Sequence, residues 1–157
     1  MAWGGVFPLR LLGKDDLIRI IRPRKPDAKV LFLVVVPLAL AFCWKILTGM
    51  AFRAESALLV LGLLVTTFGN GFFEEMGWRG VYMKLFPDRD FFRIVWPAVW
   101  FGLWHVAPGS VSPNPKLPAM IAGAGLFGLY LGYLAQKTDT VWWRIVAHTL
   151  GGMIMVV

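Results

Sequence analysis

Apolar residues in this chain fall into long runs separated by short polar intervals. The first run, residues 30–47, is eighteen residues long with a single charge, Lys45, near its end. As a helix it measures ~27 Å, close to the ~30 Å apolar core of a bilayer. Pro37 is placed to kink it. A second run begins at Ser56, passes Glu74, Glu75 and Arg79, and reaches about Phe86. One helix of that length would span ~45 Å, so the spacing predicts a bend or break at Gly69-Asn70-Gly71. Residues 91–105, with Pro97 inside, form the next span. Residues 107–118 read as a loop rich in Pro, Gly, Ser and Asn. Residues 119–135 carry no charge, and Ala124, Gly128 and Gly132 recur every four residues, a stripe that lets backbones approach closely. The last span, residues 141–157, is short, and a C-terminus truncated after Val157 is compatible with it. The pattern predicts an all-α polytopic membrane protein, a bundle of about five to six transmembrane helices.

Composition supports this class. Of 157 residues, 58% are hydrophobic and 16% charged, and the mean hydropathy is +0.67. Ordinary soluble domains are roughly 45–50% apolar and about 25% charged. A chain of ~150 residues still exposes roughly 30% of its unfolded surface, too much to hide this excess. Soluble globular and disordered readings are excluded. The single cysteine, Cys43, allows no internal disulfide. No short basic region followed by an apolar one marks a cleaved signal peptide.

The formal charge is +7. Nucleic acid would suit such a balance, but the basic residues flank the apolar runs, where they meet lipid headgroups. The expected partner is therefore the bilayer, without nucleic acid. Residues 1–29 read as a basic N-terminal segment, in which Asp15 is expected to cap a short interfacial helix with Leu17, Ile18 and Ile21 on one face and Pro23 after it. Residues 30–157 form the helical domain. With alternating spans, seven basic residues of the N-terminal segment share a side with Lys84, Arg89, Arg93, Lys137 and Arg144, against Arg53 and Lys116. The bias predicts a cytoplasmic N-terminus in an integral, plasma-membrane protein.

Five ionisable groups sit where apolar spans should exclude them: Glu74, Glu75, Arg79, His105 and His148. Glu74 lies ~15 Å from Lys84 along a helix, His105 ~16 Å from Ile94, and His148 ~6 Å from Arg144, so three segments bring polar groups to comparable depth. A carboxylate shielded from water beside an imidazole can activate a water molecule. A second imidazole can stabilise a tetrahedral oxyanion. Glu75 and Arg79 stand at i,i+4 with the glutamate first, the favourable order for a helical ion pair. Taken alone, Glu-Glu-x-x-x-Arg is also a surface-helix pattern, and a lone histidine in a span also serves helix packing.

Together, Glu74-Glu75-Met76-Gly77-Trp78-Arg79, Phe101-Gly102-Leu103-Trp104-His105 and His148 fit Glu-Glu-x-x-x-Arg, Phe-x-x-x-His and the opening of His-x-x-x-Asn/Asp. Their order and spacing resemble the CPBP (Abi) family of intramembrane proteases, which includes the type II CAAX prenyl endopeptidases and bacterial proteins linked to bacteriocin processing and self-immunity. The resemblance implies an intramembrane endopeptidase acting on a membrane-associated peptide or protein. Glu74 and His105 would activate water, Glu75 and Arg79 would support the motif helix, and His148 would stabilise the oxyanion with an Asn four residues later. Position 152 is Gly instead, which removes a donor worth ~10²–10³ in rate. Asn70 and Thr149 are the alternative donors that the sequence offers in its place. The alternative function is a catalytically impaired membrane scaffold or self-immunity protein. No cofactor is expected; the alternative is zinc held by Glu74, His105 and His148 with an open fourth position.

Overall fold

The computed structural model describes residues 11–48, 56–87, 89–111 and 115–156, and no strand occurs among them. Expectations that fall on residues 1–10, Arg53 or Val157 lie outside the described residues. In chain order the helices are α1 (Lys14–Ile21), α2 (Ala28–Leu47) and α3 (Ala57–Glu75). A π-helical turn, Met76–Gly80, carries α3 into α4 (Val81–Leu85). A second π turn, Phe91–Val95, opens α5 (Trp96–Trp104), which is followed by α6 (Val106–Val111), α7 (Leu117–Thr138) and α8 (Trp142–Val156).

Side chains start and stop these elements. The Asp27 carboxylate accepts from Val30 N at 2.7 Å and caps α2, and Ser56 Oγ accepts from Leu59 N at 3.1 Å and caps α3. Asp139, in the left-handed conformation at φ 47°, ends α7 and turns the chain toward α8. Ala28–Leu47, Ala57–Gly80 and Leu117–Thr138 are long and apolar enough to cross a membrane; Phe91–Trp104 is a shorter apolar helix. Phe32, Leu40, Leu58 and Leu126 point outward and are exposed. Such faces are unfavourable in water and natural against lipid tails. The chain is an all-α integral membrane protein.

Helix α5 packs along α7, and α8 packs against α3 and α2. Val30 and Val34 of α2, Leu131 and Leu134 of α7, and Ala147 of α8 form one core cluster. The small-residue stripe of α7 works as its spacing predicts. A Cβ on Gly128 would lie 2.9 Å from Ala98 Cα, so only glycine lets α7 and α5 meet there. A second cluster joins Leu12 and Ile20 of the N-terminal segment to Met76, Val81, Val141 and Ile145.

Several local expectations are corrected. Helix α3 runs unbroken through Gly69-Asn70-Gly71. Gly71 serves instead as a contact, because a Cβ there would lie 2.5 Å from Thr149 Oγ1 of α8. The irregularity falls instead at the π turn Met76–Gly80, directly after α3. Pro97 does lie inside a continuous helical stretch, Phe91–Trp104, directly after its π turn. Gly13, not Asp15, is the N-cap of α1; Asp15 and Asp16 lie in its first turn, where they complement the helix dipole. Ile18 is exposed and Ile20 is the buried residue of α1. Part of the expected 107–118 loop is helical, as α6 and the start of α7. Arg144, counted above among the loop charges, is fully buried.

Candidate active site

The site is assembled where α3 ends. Glu75 immediately precedes the π turn and Arg79 lies within it, and both side chains are completely buried. Arg79 Nη1 donates to Glu75 Oε1 at 3.0 Å, the i,i+4 pair that the spacing predicts. Its Nη2 donates to the carbonyl of Gly128 at 3.2 Å. The guanidinium carbon lies 4.6 Å from the centre of the Phe101 ring, a cation–π distance. One side chain thus ties α3 to α7 and α5. The glycine at 128 makes this possible, since a Cβ there would stand 3.1 Å from Arg79 Nη2.

His148, nearly two turns into α8, reaches both glutamates. Its Nδ1 lies 2.9 Å from Glu75 Oε1, and its Nε2 lies 3.7 Å from Glu74 Oε2. Glu75 Oε1 already accepts from Arg79, so the His148 Nδ1 is the donor in the shorter contact. Nε2 is thereby turned toward Glu74. Phe101 and Phe127 meet the imidazole edge to face, with ring centres 5.8 and 5.4 Å away. These contacts leave the ring little freedom to turn. Glu74 is the more accessible glutamate, its side chain 26% exposed against 0% for Glu75. The two neighbouring carboxylates therefore occupy different environments: one open enough to meet water, the other locked between a guanidinium and an imidazole.

His105 caps the C-terminus of α5. Its Nδ1 donates to the carbonyl of Phe101 at 2.8 Å, which leaves Nε2 with the lone pair. Its ring packs on Phe101 at 5.1 Å, the same phenylalanine that flanks His148. His105 and His148 both lie within electrostatic range of Glu74. The structure therefore places Glu74, Glu75, Arg79 and His148 together, and His105 against the Phe101 ring that also flanks His148.

Arg144 is the residue that sequence reasoning missed. It belongs to the same face of α8 as His148, four residues earlier, and is fully buried. That i,i+4 spacing was the available signal. Among the described residues, no three His, Cys, Asp or Glu side chains come together as a set of metal ligands.

A helical membrane protein with buried carboxylates, an arginine and imidazoles drawn from separate helices is the class that this fold and site define. The family model for type II CAAX prenyl endopeptidase Rce1-like proteins matches residues 56–154, a region that contains all five predicted site residues. The chain belongs to this family, a family of membrane proteases. Neither a curated protein nor a solved structure matches it.

Proposed function

We propose that the chain is an intramembrane endopeptidase whose water is activated by Glu74 and His105. The observation that carries this reading is the division of labour between the two glutamates. Glu75 is occupied by Arg79 and His148, whereas Glu74 is partly open and faces the Nε2 side of His148. In the proposed reaction Glu74 takes a proton from a water molecule, with His105 Nε2 as a second acceptor that orients it. The water oxygen attacks the scissile carbonyl carbon. His148, held through Nδ1 by Glu75, lies beside the developing oxyanion and stabilises it. Glu74 then returns its proton to the leaving amine as the C–N bond breaks. Arg79 does not touch substrate; it fixes Glu75.

The reading is metal-free. The substrate is a membrane-associated peptide or protein of the CAAX or bacteriocin-precursor type. The test uses the purified full chain in liposomes with an internally quenched farnesylated CAAX peptide and its unlipidated counterpart. Cleavage by wild type that is insensitive to chelators and lost in Glu74→Gln is the expected result. Equal inertness of wild type and Glu74→Gln toward both peptides would overturn it in favour of a scaffold or self-immunity protein. That second reading has its own support: Gly152 supplies no side-chain donor, and a Cβ there would lie 2.7 Å from Thr67 Cγ2.

We place the N-terminus in the cytoplasm, with the plasma membrane as the site of residence. Supporting the orientation, Lys84 pairs with Asp16, and Arg19 and Arg24 pair with Asp139. The N-terminal segment, the end of α4 and the α7–α8 turn therefore share one end of the bundle, and that end is rich in lysine and arginine. Cysteines introduced at exposed Lys25 and Lys137 should resist a membrane-impermeant thiol reagent in intact cells and react after lysis. Labelling of either in intact cells reverses the orientation.

A further inference from the structure

The N-terminal segment presents a shaped surface that the proposed reaction does not use. Thr140 and Trp143 donate to the carbonyls of Ile20, Arg22 and Arg24, so the backbone here is held in place. Arg19, Arg22 and Arg24 line an open pocket of about 400 Å³, together with Asp15, Ile18 and Pro23. A mainly apolar pocket of about 670 Å³ adjoins it; the two share Ile18, Arg22 and Pro23, and the second adds Leu17, Ile21 and Lys14. Helix α1 gives Ile20 to the protein core but leaves Ile18 exposed beside the arginines. Two carboxylates face this surface. Asp15 lines the arginine pocket, and Asp139 shares one oxygen between Arg19 at 3.3 Å and Arg24 at 3.2 Å. Asp16 is taken by Lys84 at 2.7 Å. Arg22 is exposed and pairs with no acid among the described residues. Lys14, Arg19, Arg22 and Arg24 thus outnumber the acids they meet, and a hydrocarbon wall continues directly from the guanidiniums.

We propose that this surface binds one anionic phospholipid, its phosphate among Arg19, Arg22 and Arg24 and an acyl chain along Leu17, Ile18 and Ile21. Guanidinium forks match phosphate oxygens, and a basic amphipathic helix lying at the bilayer surface attracts anionic headgroups. The position suits such a ligand, because α2, the first span, begins at Ala28, only a few residues beyond the pocket. A free phosphate would meet the arginines and leave the apolar wall bare. A neutral lipid would cover the wall and leave Arg22 without a counter-charge. An anionic lipid satisfies both. Bound there, it braces α1 from the membrane side against the turn that leads into α8. The inference does not depend on the protease reading.

The test titrates the full chain, purified in a neutral detergent, with phosphatidylglycerol labelled by a fluorophore on one acyl chain, and with phosphatidylcholine labelled in the same way. The expected result is saturable binding of the anionic probe and clearly weaker binding of the choline probe. Arg22→Gln should weaken the anionic probe about fivefold. Lys25→Gln removes the same charge from an exposed residue outside both pockets and should leave binding near the wild-type value. Unlabelled phosphatidylglycerol should displace the probe, and inorganic phosphate at the same concentration should not. Equal binding of the two probes, or equal losses in Arg22→Gln and Lys25→Gln, would overturn the site and leave a diffuse basic surface. Displacement by inorganic phosphate as readily as by the lipid would overturn it in favour of a free anion. Should Arg22→Gln not fold, Ile18→Ser decides: weakened binding of the anionic probe supports the site and unchanged binding overturns it. No arm reads cleavage, so a chain inert toward every peptide leaves this test intact.

Discussion

At the scale of single residues, the site turns on how differently two adjacent glutamates are placed. Glu75 is enclosed with Arg79 on one side and His148 on the other, while Glu74 retains access. Removing one partner of a buried ion pair strands the other charge and costs ~3–5 kcal/mol. Arg79→Met should therefore lower stability by about that amount in denaturant unfolding in mild detergent. Lys84→Met breaks the exposed pair with Asp16 and should change stability by less than ~1 kcal/mol. The Glu75–Arg79 pair was legible because i,i+4 neighbours on a helix meet whatever the tertiary fold. The His148–Glu75 contact was not, since the two residues are far apart in sequence and only the packing of α8 on α3 joins them. Arg144 was misread for a related reason. It stands at the edge of an apolar run, and a linear sequence does not say which way an edge residue turns.

At the scale of elements, glycines decide how closely helices approach. Gly69-Asn70-Gly71 looks like a breaker, but Gly71 admits Thr149 of α8 to the surface of an intact α3. Gly152 does the same for Thr67. The two contacts lie along one α3–α8 seam and set its spacing. An asparagine at 152 would enter that seam as an overpacked side chain, at a cost of ~1–3 kcal/mol. Gly152→Asn alone should thus lower the melting temperature without improving peptide cleavage. Adding Thr67→Ala should recover most of the loss. A Gly152→Asn chain that melts like wild type would show that the seam opens freely. The long apolar runs foretold α2, α3 and α7 well, because lipid imposes a length on any helix that crosses it. The π turn at Met76–Gly80 carried no comparable signal, since it arises where one extra residue is absorbed within a continuing helix.

At the scale of the whole molecule, hydropathy alone announced an all-helical membrane protein, and the structure agrees. It did not announce how the segment before the first span meets the α7–α8 turn. Thr140 Oγ1 donates to the carbonyls of Ile20 and Arg22 at 2.8 and 3.0 Å, and Val141 N donates to that of Ile20 at 2.8 Å. Trp143 Nε1 donates to the carbonyl of Arg24 at 2.9 Å. These donors come from the α7–α8 turn and the start of α8, and they satisfy carbonyls at the frayed end of α1. The segment that precedes the first span is thus fastened beneath the helix that bears His148. A ribosome makes that segment more than a hundred residues before its fasteners, so during synthesis it must wait, unclasped, until α7 and the start of α8 have been made. Closure of this clasp therefore follows the synthesis of α2, α3, α5 and α7, and the imidazole of α8 gains its foundation only after those helices exist.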